Sequence, residues 1–201
     1  MIGVREKGGA RLLVLDRADK ANALTQDMLA ALDGAVAQAA ADGVAVLVLT
    51  GNGRVFSAGA DLDGMAQGLG HAPEWEILSR RIAAYPGLTI AALNGTLAGG
   101  AFGMALACDL RVAVPGAEFF YPVMKRGYLP QPSDPARLTA LIGPSRARMI
   151  LLAGQRISAE TALAWGLIDR IAEDAVDGAL ALGGDALGAD PRHVRRMKAM
   201  F

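Results

Sequence analysis

The fold is decided by one stretch, Thr89-Ile90-Ala91-Ala92-Leu93-Asn94-Gly95-Thr96-Leu97-Ala98-Gly99-Gly100-Ala101-Phe102-Gly103-Met104-Ala105-Leu106-Ala107-Cys108-Asp109. No charge interrupts it between Arg81 and Asp109. It opens as an apolar run of strand length, breaks at Asn94-Gly95 and crosses a glycine pair. Apolar residues then continue for about three helical turns, so the pattern predicts strand, glycine-rich turn and buried helix. Such a turn leaves N–H groups at a helix start without partners, and the helix dipole adds positive charge there. An anion or a developing oxyanion suits that position. On these residues alone, other readings stay open. A plain core element with glycines for close packing fits. A membrane span is disfavoured by the glycines and by the lack of basic anchors at either end. A dinucleotide site is weak, because the spacing is Gly-Gly-x-x-Gly rather than Gly-x-Gly-x-x-Gly.

Working outward, Val44 to Thr50 is apolar throughout and predicts a strand buried on both faces. Gly51-Asn52-Gly53 turns the chain into Phe56-Ser57-Ala58-Gly59-Ala60-Asp61-Leu62, whose small residues let a ligand approach the backbone. Upstream, Arg11–Leu15 predicts a short strand, and Thr25 predicts an N-cap for a helix through Ala41. Met28, Leu32, Val36 and Ala39 fall at helical spacing on its core face. The glycine-rich segment 64–72 reads as a mobile loop. Pro73 starts a helix that runs to Tyr85. Downstream, Leu110–Val114 and Glu118–Tyr121 read as strands, Pro122–Ser133 as an irregular loop, and Ala136–Ile142 and Ser145–Leu152 as helices. Ser158 caps a third helix ending at Gly166, Leu167–Ile171 is extended, and Ala175–Leu182 is amphipathic. The segment from Arg192 to Lys198 is basic and reads as exposed.

Composition bounds the function. The chain has 201 residues, 53% hydrophobic and 20% charged, which suits one globular α/β domain over residues 1–201. No linker, repeat or low-complexity tract divides it. Twenty basic and twenty acidic residues give zero formal net charge, against a nucleic acid or an anionic membrane as main partner. A single cysteine, Cys108, and the lack of an apolar h-region before Arg17 lead to the expectation of a cytoplasmic protein without a signal peptide. With two histidines, His71 and His193, no multi-histidine metal site is expected.

Four motifs now stand in order: Ala21-Asn22-Ala23-Leu24, the strand-turn segment 44–62, the segment 94–109, and Ile157-Ser158-Ala159-Glu160. Together they closely resemble the crotonase superfamily of enoyl-CoA hydratases and isomerases, over Arg11 to about Lys198. The resemblance implies an α/β fold, a spiral of ββα repeats with C-terminal helices. It also implies binding of an acyl-CoA thioester, whose enolate is stabilised between two backbone N–H groups. Matching the motifs puts these at Ala60 and Gly100, both small here.

The family's hydratases add water with two glutamates, and the matching positions are Gly103 and Val123. Neither moves a proton. A positioned acid or base is worth about 10² to 10⁴ in rate, so hydratase activity is expected to be negligible. Some relatives with other chemistry use a loop residue that matches Gln131, an amide without a useful pKa. Tyr121, Tyr128 and Asp134 are further candidates, His71 a more distant one; Asp134 reads equally as an N-cap before Pro135. For coenzyme A the resemblance implies contacts around Lys20, Ala23, Leu24, Ala58, Asp61, Leu62 and Gly99, largely through backbone. Coenzyme A enters as part of the substrate, and no separate cofactor or metal is expected.

The family's members continue past the position of Lys198 with helices that cover the acyl pocket and build trimers or dimers of trimers. This chain ends at Phe201. A homo-oligomer, a trimer first, is the expectation. The function expected is acyl-CoA binding with enolate chemistry, of isomerase, thioesterase or decarboxylase type. The alternative is a non-catalytic acyl-CoA carrier or sensor.

Overall fold

A computed structural model describes residues 1–201. In chain order the elements are β1 (Ile2–Lys7), β2 (Ala10–Leu15), α1 (Gln26–Ala41), β3 (Val46–Gly51), β4 (Val55–Ser57), α2 (Leu62–Ala66), α3 (Glu74–Ala83), β5 (Leu88–Leu93), β6 (Thr96–Ala98) and α4 (Phe102–Ala107). There follow β7 (Leu110–Ala113), β8 (Glu118–Phe120), α5 (Val123–Arg126), α6 (Asp134–Ile142), α7 (Pro144–Leu151), β9 (Ile157–Ser158), α8 (Ala159–Trp165), β10 (Arg170–Ile171), α9 (Ala175–Leu182), α10 (Gly184–Gly188) and α11 (Pro191–Lys198).

The strands form two sheets. One has six strands in the order β1-β2-β3-β5-β7-β10, the other four in the order β4-β6-β8-β9. Strand, strand and helix recur as β3-β4-α2, β5-β6-α4 and β7-β8-α5. In each repeat the first strand joins the larger sheet and the second joins the smaller one. This is the expected crotonase-like α/β spiral. All pairings within β2-β3-β5-β7-β10 and β4-β6-β8 are parallel.

Alternation along the long strands explains why the larger sheet is buried on both faces. Leu13, Leu15, Leu47, Leu49, Ala91 and Leu93 point into the main core with α1, α3 and α4. Their neighbours Leu12, Val14, Val46, Val48, Ile90 and Ala92 point the other way and pack under Ala175 and Ala179 of α9. The Thr25 hydroxyl caps α1 by accepting from the Met28 N–H, and Ser158 caps α8 through the Thr161 N–H.

Several expectations need correction. The helix after the glycine pair is shorter than three turns: a 3-10 turn at Gly99–Ala101 leads into α4 of six residues. Segment 64–72 is not a loop throughout, because the Asp61 carboxylate caps α2 and a 3-10 turn covers Leu69–His71. The irregular loop 122–133 contains α5, closed at Gly127. The cap of α6 is Ser133, and Asp134 is the first helical residue. Segment 192–198 forms α11 and is not simply exposed. Val194 is buried, and Lys198 reaches Asp109 at 2.6 Å.

Candidate active site

Because β4, β6 and β8 are parallel, their C-terminal ends leave the small sheet on the same side, the side on which α/β sheets bind ligands. They deliver Ala58–Ala60, Gly99-Gly100 and Tyr121–Val123 to one cleft of about 330 Å³. Ala21, Trp75, Tyr128 and Gln131 complete much of its wall.

The turn after β4 is held by hydrogen bonds that spare one donor. The Ala58 N–H donates to the Ala21 carbonyl, the Gly59 N–H to the Ser57 hydroxyl, and the Asp61 N–H to the Leu24 carbonyl. Leu24 and Ala60 pair as an isolated parallel bridge, so the Ala60 N–H is left outside the ladder and donates to no other group. Ala21 and Asn22 stand in the left-handed region, at φ 49° and 52°, which is uncommon for non-glycine residues. Asn22 is held there by its side chain, which accepts from the Arg17 N–H and donates to the carbonyls of Asn52 and Val55. That kink is what brings the Ala21 carbonyl to Ala58.

Gly59 has φ 92°, and a Cβ on it would lie 2.8 Å from the Ala98 carbonyl oxygen and 3.3 Å from the Gly100 nitrogen. Only glycine lets the two turns approach this closely. Gly100 is the second residue of the 3-10 turn before α4, where an N–H has no intrahelical acceptor. Ala60 and Gly100 both line that one cleft. The ring of Trp75 closes the other side. A Cβ on Gly100 would meet it at 3.2 Å, and its indole N–H is fixed on the Leu69 carbonyl.

The remaining expected residues divide. Ala58, Gly99, Tyr121, Tyr128 and Gln131 line the cleft. Lys20, Ala23, Leu24, Asp61, Leu62, His71 and Asp134 are not among its lining residues. Lys20 and Leu62 are exposed, and the Leu24 side chain is fully buried with its backbone spent on the bridge to 59–61. The Arg17 guanidinium lies 2.6 Å from the Asp61 carboxylate and also donates to the Ala23 carbonyl. That arginine and the α2 N–H groups hold the Asp61 pKa below the usual range. Trp75, Arg126 and Arg156 line the cleft without having been singled out from the sequence. The Arg156 guanidinium sits 3.9 Å over the Phe120 ring. No carboxylate and no histidine lines the cleft.

One carboxyl lies behind it. Asp134 is completely buried, and its Oδ2 accepts from the Tyr121 hydroxyl at 2.9 Å. Its Oδ1 has no partner. Burial pushes the Asp134 pKa up to about 7; the Tyr121 hydrogen bond and Arg137 oppose the rise, and Glu76 adds to it. Burial, with the neighbouring Asp134, also raises the Tyr121 pKa far enough to keep the phenol protonated.

Known proteins resemble this chain over nearly its whole length. The family model described as enoyl-CoA hydratase/isomerase matches residues 5–201. The probable enoyl-CoA hydratase echA6 of Mycobacterium leprae is 36% identical over 205 residues, covering 100% of this chain and 82% of that protein. Among solved structures, an enoyl-CoA hydratase from Bacillus anthracis superposes with a TM-score of 0.92 at 29% identity, covering 98% of this chain and 81% of that one. DspI of Pseudomonas aeruginosa does so with a TM-score of 0.90 at 30% identity, covering 98% and 84%.

Proposed function

The chain belongs to the enoyl-CoA hydratase/isomerase family, and from that premise we propose that it binds an acyl-CoA thioester and stabilises its enolate between the Ala60 and Gly100 N–H groups, without working as a classical hydratase. The observation that carries this reading is the spared Ala60 N–H beside the Gly100 turn, in a cleft that a small group can enter. Two aimed donors are a large term, about 10² or more in rate for each. Gly103 and Val123 stand where the family's hydratases carry their glutamates, so water addition lacks its acid and base.

The wall suits an acyl group, since 12 of its 20 residues are hydrophobic. Arg126 at the cleft supplies positive charge for coenzyme A phosphates, whereas Arg156 is paired with Glu118 at 2.6 Å. Calorimetry with crotonyl-CoA tests the reading. The native chain is expected to bind it, and Gly100→Val, whose side chain runs into Trp75 and the hole, is expected to lose that binding. Equal affinity in both proteins sinks the assignment of the hole.

A second reading, a non-catalytic acyl-CoA carrier or sensor, is favoured by the lack of any carboxylate or histidine on the wall. The assembly proposed is a homo-oligomer, a trimer first, located in the cytoplasm. Leu129, Met124 and Leu152 leave large apolar side chains 83%, 56% and 57% exposed around one groove, as an interface would. Sedimentation showing a stable monomer at micromolar concentration refutes that assembly.

A further inference from the structure

Gly103 lies one turn along from Gly100, and it is closely covered. A Cβ built on it would come within 3.0 Å of the Asp134 Oδ1. The missing side chain on α4 is matched by a carboxyl that enters from α6 and fills the adjoining space. That carboxyl is fully buried and its Oδ1 is unpartnered. Its other oxygen holds the Tyr121 hydroxyl, which also accepts from the Gln131 N–H at 3.4 Å. The Tyr121 ring stacks on Phe102 of α4, with centroids 5.3 Å apart, and Tyr121 itself lines the cleft that contains Ala60 and Gly100. A hydrogen bond therefore joins the buried carboxyl to a residue of the cleft wall.

We propose that Tyr121 is the catalytic proton-transfer residue of this site and Asp134 the residue that positions it and takes up its proton, so that the protein enolises saturated acyl-CoA thioesters. The proposal rests on the reading that the thioester oxygen sits between Ala60 and Gly100. In the step, the Cα–H bond of the acyl group breaks and its proton passes to the Tyr121 oxygen. The Tyr121 proton passes to the Asp134 Oδ2, and the electron pair moves onto the thioester oxygen. Once the proton on Tyr121 has exchanged with solvent, reversal returns a solvent-derived proton to the α-carbon. No water is added and no oxidant is consumed, so the turnover seen in isolation is exchange of α-protons with solvent.

Burial and Glu76 work against ionisation of the carboxyl, and the Tyr121 hydrogen bond and Arg137 work for it. From α3, Glu76 faces the group while accepting from the Ser133 N–H and hydroxyl, and Arg80 lies 3.6 Å from Glu76. From α6, Arg137 is hydrogen-bonded to Ser79. From α4 there is only Gly103 and its apolar neighbours, and from the loop after β8 only Tyr121 and Gln131. Asp134 ionises near neutral pH, and it has to be ionised to receive a proton.

The experiment incubates the protein with butyryl-CoA in D₂O and follows loss of the α-proton signal by NMR, with butyryl-CoA affinity measured in parallel by calorimetry. The native chain is expected to exchange α-protons above the buffer rate, with a rate that rises with pH and levels off above about 7. Tyr121→Phe is expected to bind butyryl-CoA within twofold of the native chain but lose about 10²-fold or more in exchange. Asp134→Asn is expected to lose the exchange and its pH inflection together, with binding kept. Thermal melts confirm that each variant is folded, and Tyr121→Phe, which removes one hydroxyl, stands in if Asp134→Asn does not fold. Binding without exchange in the native chain, or native exchange in Tyr121→Phe, overturns the proposal alone. Absence of butyryl-CoA binding overturns the thioester reading and this proposal with it.

Discussion

Replacing Asp134 by Asn should make the protein more stable at pH 8 and should remove a marked pH dependence. The carboxyl is fully buried, one of its oxygens is unpartnered, and its pKa is raised from 3.8 to about 7. An acid whose pKa is raised on folding favours the folded state at low pH, where both states hold the proton. That stability is present in full below about 4 and is lost as pH rises towards 7. Three units at 1.36 kcal/mol each make the whole effect on the order of 4 kcal/mol. Between pH 5 and pH 8 the part traversed is about 2.5 kcal/mol. Asn has the same shape, accepts from the Tyr121 hydroxyl and never ionises, so it is free of this term. Urea unfolding of both proteins at pH 5, 6.5 and 8 measures it. The native chain should lose about 2.5 kcal/mol relative to the variant across that range. A difference constant within about 0.5 kcal/mol would show that the charged carboxyl is not penalised, and the account of its burial would be wrong.

Two further substitutions probe the backbone and the missing glutamates. Gly59→Ala should cost about 1–3 kcal/mol and abolish thioester binding, because the residue stands at φ 92° and its Cβ would press on the Ala98 carbonyl; unchanged melting and binding would contradict this. Gly103→Glu with Val123→Glu should not restore crotonyl-CoA hydration, because Asp134 fills the space beside position 103. Adding Asp134→Gly should allow a modest gain, limited by the lack of supporting groups around the new carboxylates, and hydration by the double variant equal to that of the triple would show that Asp134 is not in the way.

The parts of this structure that announced themselves in the sequence are those with enough residues to show a period. The both-faces burial of β3 follows from its unbroken apolar run, and α1 follows from Thr25 and the spacing of Met28, Leu32 and Val36. The smaller sheet was almost invisible, because β4, β6 and β8 have three residues each, too few for alternation to register. β1 was missed for a different reason. It is an edge strand with residues 4–7 exposed, and Arg5, Glu6 and Lys7 carry no apolar alternation. At the site, Ala60 and Gly100 were named from the resemblance of their motifs to the family, and both line the cleft. The covering of Gly103 by Asp134 had no local signal, since the two residues sit on separate helices and meet only through the packing of α4 on α6. Asp134 followed by Pro135 looked like an ordinary helix start, and its lack of solvent is a tertiary fact. Trp75, Arg126 and Arg156 reach the cleft from α3, α5 and the segment before β9, again with nothing in their sequence neighbourhoods to mark them.

The most direct measurement of the central claim is a crystal structure with butyryl-CoA bound. The account predicts the thioester oxygen about 2.7–3.1 Å from both the Ala60 and the Gly100 nitrogens, with the acyl α-carbon facing Tyr121. A butyryl-CoA whose thioester lies outside this cleft, or whose oxygen touches neither nitrogen, would contradict it.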